Sequence, residues 1–201
     1  MPDANDLARQ FGPIDIYLFD QLLKGRITRD HRILDAGCGT GRNLVYLVGA
    51  GFDVRGVDAA GDSIDAVRER FPDLEPDRFQ IAPVEALPHP DDSFDVVISN
   101  AVLHFARDDA HVEAMVAEML RVLAPGGMLF VRLASDIGIE DAVERLDGGR
   151  AKLPDGSERY LVNEARLVAW TEGTGATLLD PIKTTNVQGL RCMTTWVLRL
   201  P

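Results

Sequence analysis

The chain predicts a single α/β domain built around a doubly wound, mostly parallel sheet. Three observations carry this. Short apolar runs alternate with amphipathic stretches at helical spacing through roughly residues 30 to 135. The first run stops at Asp35-Ala36-Gly37-Cys38-Gly39-Thr40-Gly41, where three glycines fall at alternate positions. At 201 residues the chain can bury one sizeable core and is too short for two ordinary domains.

Residues 1–29 read as a helical cap ahead of the core: a polar tail to about Gly12, then an amphipathic helix over Ile14–Leu23 after Pro13. Ile33–Ala36 is the first strand. A helix over Asn43–Ala50 carries Leu44, Leu47 and Val48 on one side and closes at Gly49 and Gly51. Asp53–Asp58 is a second strand ending in an acid. Asp62 or Ser63 caps the next helix, which carries Ile64, Val67 and Phe71 and stops at Pro72. Phe79–Ala82 and Phe94–Ser99 are the third and fourth strands, the latter nearly all apolar, as buried parallel strands are. A long helix presents Val112, Met115, Val116, Met119, Leu120 and Leu123 on one face. Pro125-Gly126-Gly127 ends it, and Met128–Leu133 is a fifth strand. Between 136 and 162 the pattern predicts a helix over Glu140–Leu146, a break at Asp147-Gly148-Gly149 and a turn across 152–157. Asn163 caps a last helix through Trp170.

The glycine loop narrows the function. Glycine admits positive φ and lets a ligand approach where a Cβ would clash. A strand that ends there and restarts as a helix is expected to aim free N–H groups at that ligand. Counting from Gly37, the dinucleotide fingerprint needs a glycine where Arg42 stands, and a Walker loop needs Gly-Lys-Ser/Thr, which is missing. What stands here is Gly-x-Gly-x-Gly preceded by Asp35. Arg121-Val122-Leu123-Ala124-Pro125-Gly126-Gly127 lies before the fifth strand; Glu85-Ala86-Leu87-Pro88, Ser93–Asn100 and Val102-Leu103-His104 surround the fourth. Together these resemble the class I S-adenosylmethionine-dependent methyltransferases, a Rossmann-like superfamily. Gly41-Arg42-Asn43-Leu44 and Gly51-Phe52-Asp53-Val54 look most like its small-molecule members related to tellurite-resistance methyltransferases.

The resemblance makes residues 30–135 the cofactor-binding core. It implies a seven-stranded, mostly parallel sheet with an antiparallel last strand and helices on both faces. Within a C-terminal unit, 163–201, Thr177–Ile182 and Met193–Leu200 would form the closing antiparallel pair. Residues 1–29 and the insertion 136–162 would close as a lid over the methyl donor and choose the acceptor; the plainer alternative is that both merely cover exposed core.

It also implies S-adenosylmethionine as methyl donor, S-adenosylhomocysteine as product, and a set of binding residues. Asp58 is expected to accept from both ribose hydroxyls, or else to cap the following turn. The backbone of Gly37, Cys38 and Gly39 should face the amino-acid end, with Asp35 near its ammonium or fixing the loop. Asn43, Ala59 and Asn100 complete the set. Cys38 reads as a small apolar filler. Where relatives carry an acid before the adenine contact, this chain has Pro83, with neither side-chain acceptor nor N–H. Adenine then falls to the Val84 backbone and Glu85. His104, at the end of the fourth strand, is the catalytic candidate, taking a proton from an attacking hydroxyl, amine or thiol, or else packing the pocket floor. Tyr17, Arg132 and Tyr160 join it as acceptor-pocket candidates, Arg132 with a structural ion pair as its alternative. His31 and His111 read as solvated and His89 as surface; Trp170, Trp196, Met115 and Met119 read as core. Methyl transfer from a sulfonium requires no metal, and no metal site is expected.

A net charge of −11 disfavours a nucleic-acid partner. Two cysteines without a disulfide or metal pattern, no signal peptide and no long apolar span suggest a cytoplasmic monomer or homodimer with no membrane partner. The sequence thus reads as a methyltransferase acting on a small-molecule acceptor. A protein or peptide side-chain methyltransferase, and a non-catalytic binder of S-adenosylmethionine or S-adenosylhomocysteine, are the alternatives.

Overall fold

Strands buried on both faces make the centre of the molecule. In β1 (Arg32–Ala36), β4 (Phe94–Asn100) and β5 (Leu123–Ser135) most positions are buried, which requires helices over both sides of the sheet. The structure, a computed structural model, describes residues 4–201; the first three residues of the expected cap lie outside the described residues. β2 (Asp53–Asp58) and β3 (Phe79–Ile81) extend the parallel run, in the order β3-β2-β1-β4-β5. β11 (Arg191–Arg199) pairs antiparallel with β5, from Arg199 against Met128 to Cys192 against Ser135. β10 (Lys183–Val187) lies outside it, and the two-residue β9 (Thr177–Leu178) adds an eighth member alongside β11. The sheet is therefore mostly parallel with an antiparallel last strand, as the resemblance implies, but it has eight strands in place of the expected seven.

Alternation along the strands divides the core into two layers. Leu34, Val97, Leu129 and Val131 face α5 (Asp109–Val122), whose Val112, Met115, Val116 and Met119 are buried against them. Ile33, Val96, Ile98 and Phe130 face the other way, toward Leu47 of α3 (Val45–Gly49) and Ile64 and Val67 of α4 (Gly61–Arg70). Each such side chain contributes about 1.5–3 kcal/mol by leaving water. α1 (Ala4–Phe11) and α2 (Ile16–Leu23) pack on this second layer. Leu18 is fully buried, and Phe11 meets Phe19 and Tyr46 at 4.9 and 5.1 Å between ring centroids. The opening stretch expected to be a loose tail is thus a helix from Ala4, held by an aromatic cluster.

Several expected elements differ. The helix expected over Asn43–Ala50 is only Val45–Gly49, because residues 40–44 are turns. Neither Asp62 nor Ser63 caps α4; its N-cap is Ala60, and the Ala60 N–H donates to Asp58. β5 starts at Leu123, before Met128, since the Pro-Gly-Gly stretch is taken up within it as an irregularity, with Gly126 at φ +74° and a register shift against β4. The helix expected over Glu140–Leu146 is a 3₁₀ turn, Glu140–Ala142, followed by β6 (Glu144–Arg145). That strand pairs with β7 (Arg150–Lys152), and β7 with β8 (Glu158–Tyr160), in a separate three-stranded antiparallel sheet. Gly148 and Gly149, at φ +65° and +80°, make the reversal a helix could not accommodate. The closing pair also shifts. Lys183–Val187 is the longer outer partner of β11; of the expected Thr177–Ile182 only Thr177–Leu178 pairs with it, and Pro181 interrupts the segment. Asn163 does cap α6 (Glu164–Gly173), accepting from the Arg166 N–H at 2.8 Å.

Candidate active-site cleft

The order of strands reverses between β1 and β4, and a crevice opens there at their carboxyl ends. The three loop glycines shape it differently. Gly37 sits at φ +85°, and a Cβ there would run into the side chain of Val102. Gly41, at φ +75°, would meet Val67 Cγ2 at 2.7 Å. Gly39, at φ +53°, has nothing within 4 Å of that position and faces the open cleft. The outer glycines serve packing, and the middle one keeps the cleft floor clear.

At Gly37, Cys38 and Gly39 the expectation of free N–H groups is corrected. Gly37 and Cys38 both donate to the Val57 carbonyl, at 2.8 and 2.9 Å, and Gly39 donates to Asp58 Oδ2 at 2.9 Å. At these three residues a ligand therefore meets Cα surface and carbonyls. Asp58 accepts from the Ala60 N–H through Oδ1, at 2.9 Å, while its carboxylate also lines the cleft. Turn capping and a cleft-facing position, alternatives in the sequence, coexist.

The cleft has a volume of about 540 Å³. Asp35, just before the glycine loop, is 1% exposed and is not among the residues lining the cleft; neither of its oxygens has a hydrogen-bond partner among the described residues. Burial pushes its pKa up to about 7, opposed by Arg42 and reinforced by Asp58. It does not fix the loop by hydrogen bonds. Cys38 is buried at 5% exposure; burial first, then Asp35 and Asp58, push its thiol up, so it stays protonated. Asn43 lines the cleft and accepts from the Asp15 N–H at 3.0 Å, joining the N-terminal helices to the loop. Asn100, also lining it, accepts from Arg42 at 2.6 Å. Ala59, Pro83, Val84 and Glu85 form the opposite wall.

His111 was expected in solvent and instead lines this wall, its side chain 11% exposed. Asp108 caps α5 by accepting from the His111 N–H at 2.8 Å, which turns the first helical turn toward the cleft. The imidazole accepts from the Arg107 N–H through Nδ1, at 3.1 Å, so the ring proton of the neutral form sits on Nε2. Nε2 lies 3.0 Å from Glu85 Oε1. His89 is half-buried, packed edge-on against Phe94 at 5.0 Å, rather than a surface residue.

Ala101 forms a wall shared by this cleft and a second cavity of about 440 Å³. Its φ of +65° is strained for a residue with a Cβ, and its N–H donates to the Arg132 carbonyl at 2.7 Å. His104, 7% exposed, lines the second cavity. Burial, with Arg159 adding to it, pushes its pKa down to about 4, and its Nδ1 has no partner. Arg132 lines the same cavity and pairs with Asp15, whose side chain is 2% exposed; cavity wall and ion pair, offered as alternatives, both hold. Tyr17 lines neither space. Its ring carries Arg132 at 4.9 Å, and its hydroxyl contacts Thr185 Oγ1 at 2.7 Å. The cap is thereby tied to β5 and β10 beside the cavity.

Tyr160 is corrected outright. It is fully buried in the core beneath α5, its hydroxyl donating to Asp109 at 2.6 Å, and it lines neither space. Its neighbour Arg159 on β8, with Leu153, Asp155 and Ser157 of the turn between β7 and β8, walls the second cavity instead. The sequence reading also missed Arg42, Val102 and Phe105 at the cleft and Arg191 at the cavity. Arg42, directly after the glycine loop, carried a positional signal; the others depend on how loops and the small sheet fold back. Among the described residues, no cluster of three or more metal-ligating side chains occurs, and no helix is long and apolar enough to cross a membrane.

Residues 34–131 match the family model described as "Methyltransferase domain". The chain is similar to the uncharacterized methyltransferase YodH of Bacillus subtilis, 36% identical over 126 residues, which cover 62% of this chain and 49% of that protein. It is also similar to the malonyl-[acyl-carrier protein] O-methyltransferase of Halorhodospira halophila, 40% identical over 99 residues, covering 48% and 32%. A crystal structure of a S-adenosylmethionine-dependent methyltransferase from Methanosarcina mazei superposes with a TM-score of 0.71 at 18% identity, covering 89% of this chain and 96% of that one, a likeness of fold. The matched segment spans half or less of the length of the curated relatives.

Proposed function

The chain belongs to the class I S-adenosylmethionine-dependent methyltransferase superfamily, and on that premise we propose that it transfers the methyl group of S-adenosylmethionine to a small-molecule acceptor. The observation that carries the cofactor site is the glycine loop, whose middle Cβ position opens on the cleft, next in sequence to the buried Asp35 carboxylate, whose two oxygens have no partner. A cationic ammonium placed there satisfies an acid that burial otherwise keeps half-protonated near neutrality. Asp58, fixed by two backbone donors, retains lone pairs for ribose hydroxyls. Pro83, Val84 and Glu85 line the opposite wall for adenine, and Glu85 is oriented by His111. Asn43, Ala59 and Asn100 complete the cleft.

When bound, S-adenosylmethionine supplies a methyl group already activated on a sulfonium and open to in-line displacement. The residues of this chain orient the partners and exclude water. His104 stands at the second cavity beside Ala101. A base of pKa about 4 is poorly matched to proton removal near pH 7. We therefore assign His104 a neutral imidazole that accepts a hydrogen bond from the acceptor and directs its lone pair toward the cleft. Arg132, held by Asp15 and covered by the Tyr17 ring, bounds the acceptor space together with Leu153 and Arg159. A walled cavity of about 440 Å³ suits a small molecule more than an extended peptide. Both cysteines are free and buried, which fits a reducing, cytoplasmic setting. Incubation with methyl-labelled S-adenosylmethionine and a metabolite extract tests this reading: label is expected in small products, while label confined to protein, or to nothing, contradicts it.

A further inference from the structure

We infer that the second cavity is built for an acceptor bearing an anionic group, a carboxylate or a phosphate, held by Arg159 and Arg191 while the nucleophilic end points to Ala101 and His104. This rests on the methyltransferase reading for the identity of the reaction, not for the existence of the anion site.

The chain as a whole carries a net charge of −11, yet this cavity gathers three arginines and one carboxylate. Arg132 is neutralised by Asp15 beneath it. Arg191 lies 4.0 Å from Asp155, a loose pairing at the rim. Arg159 has no carboxylate within 4.0 Å among the described residues; its one side-chain hydrogen bond is to the Glu158 carbonyl. Two arginines against one carboxylate leave the cavity positive. The planar guanidinium of Arg159 is placed over the Phe105 ring at 5.4 Å, and Phe105 also lines the cofactor cleft. Stacking restricts the guanidinium to one plane and leaves its edge N–H donors for a bidentate partner. His104 adds a neutral, 93% buried ring without a partner at Nδ1, a polar contact for an uncharged part of the ligand. An anionic handle at the Arg159 and Arg191 end thus orients the molecule with its far end toward Ala101, which borders both spaces.

The test titrates benzoate, phenyl phosphate and benzamide, similar in shape and different in charge, into protein saturated with S-adenosylhomocysteine, by calorimetry at fixed ionic strength. At least one anion is expected to bind about tenfold more tightly than benzamide. Arg159→Gln and Arg191→Gln should each remove most of that preference, and Arg159→Lys should recover part of it, with circular dichroism reporting the fold. The preferred anion separates carboxylate from phosphate. Equal or absent binding of all three probes, or a preference that survives both glutamine variants, overturns the inference. If S-adenosylhomocysteine itself does not bind, the methyltransferase reading fails separately, and the same titrations on the unliganded protein still decide the anion site.

Discussion

The Gly39 N–H donates to Asp58 Oδ2 at 2.9 Å, so the acid that ends β2 clamps the middle glycine of the loop after β1. One carboxylate therefore shapes the loop and faces the cleft. Replacing it changes both, and the two effects can be read apart.

Asp58→Ala should weaken S-adenosylhomocysteine binding by about 1.5–3 kcal/mol, the range for hydrogen bonds to a charged group. Asp58→Asn should fall between it and wild type, because one acceptor oxygen survives. Titration calorimetry at wild-type affinity in the alanine variant would remove Asp58 from the ribose role.

The glycines should separate binding from folding. Gly37→Ala must displace Val102 and hold a Cβ at φ +85°, an overpacking that costs about 1–3 kcal/mol of stability. Gly39→Ala meets no protein atom; its left-handed conformation costs about 1–2 kcal/mol, and its methyl enters the cleft. Urea unfolding should therefore show the larger loss in Gly37→Ala, and ligand titration the larger loss in Gly39→Ala relative to its stability change. Loss of affinity in proportion to loss of stability in both would contradict this division.

Much of the core was legible because its signals are local. Alternating burial from Ile33 to Leu34 and from Val96 to Val97 follows from the strand period, and the five parallel strands appear where the apolar runs lie. The glycine loop announced the cleft for the same reason: its residues are contiguous. What escaped depends on distant contacts. His111 looked like an exposed residue at a helix start until Asp108 capped that helix beside Glu85, 26 positions away (111 − 85). Tyr160 lies on a segment that does wall the cavity, but strand alternation turns its side chain into the core while Arg159 faces outward. Gly148-Gly149 read as a helix breaker; that the chain then formed a small sheet was set by pairing no local pattern shows.

Asp35 gives a pH prediction. Its folded pKa, about 7, lies above the ordinary 3.8, so the stability it confers is full below about pH 3.8 and is lost as pH rises through about 7. Asp35→Asn, neutral at every pH, should gain stability over wild type as pH rises from about 5 to 8. Binding runs the opposite way. An ammonium beside Asp35 favours the carboxylate, so wild-type affinity for S-adenosylhomocysteine should rise across this interval while the asparagine variant stays flat and weaker. Parallel pH dependence in both proteins would show that another group titrates.

The Asp15–Arg132 pair ties the cap to β5. Asp15 is nearly inaccessible, and Arg132 is largely buried. Asp15→Ala leaves that guanidinium without its partner, at a cost of about 3–5 kcal/mol. For a domain of this size, 1 kcal/mol corresponds to roughly 2–4 °C, so Tm should fall by at least about 6 °C. A shift below about 2 °C would mean that the guanidinium finds another partner or reaches water.

The central claim is that the cleft at Gly39 and Asp58 holds S-adenosylmethionine. Calorimetric titration of the wild-type protein and Asp58→Ala with S-adenosylhomocysteine and, separately, with NAD tests it most directly. One S-adenosylhomocysteine bound per wild-type chain, weakened in the variant, with no heat from NAD, is the predicted result. A folded wild-type protein that binds NAD in this cleft, or takes up no S-adenosylhomocysteine, would contradict it.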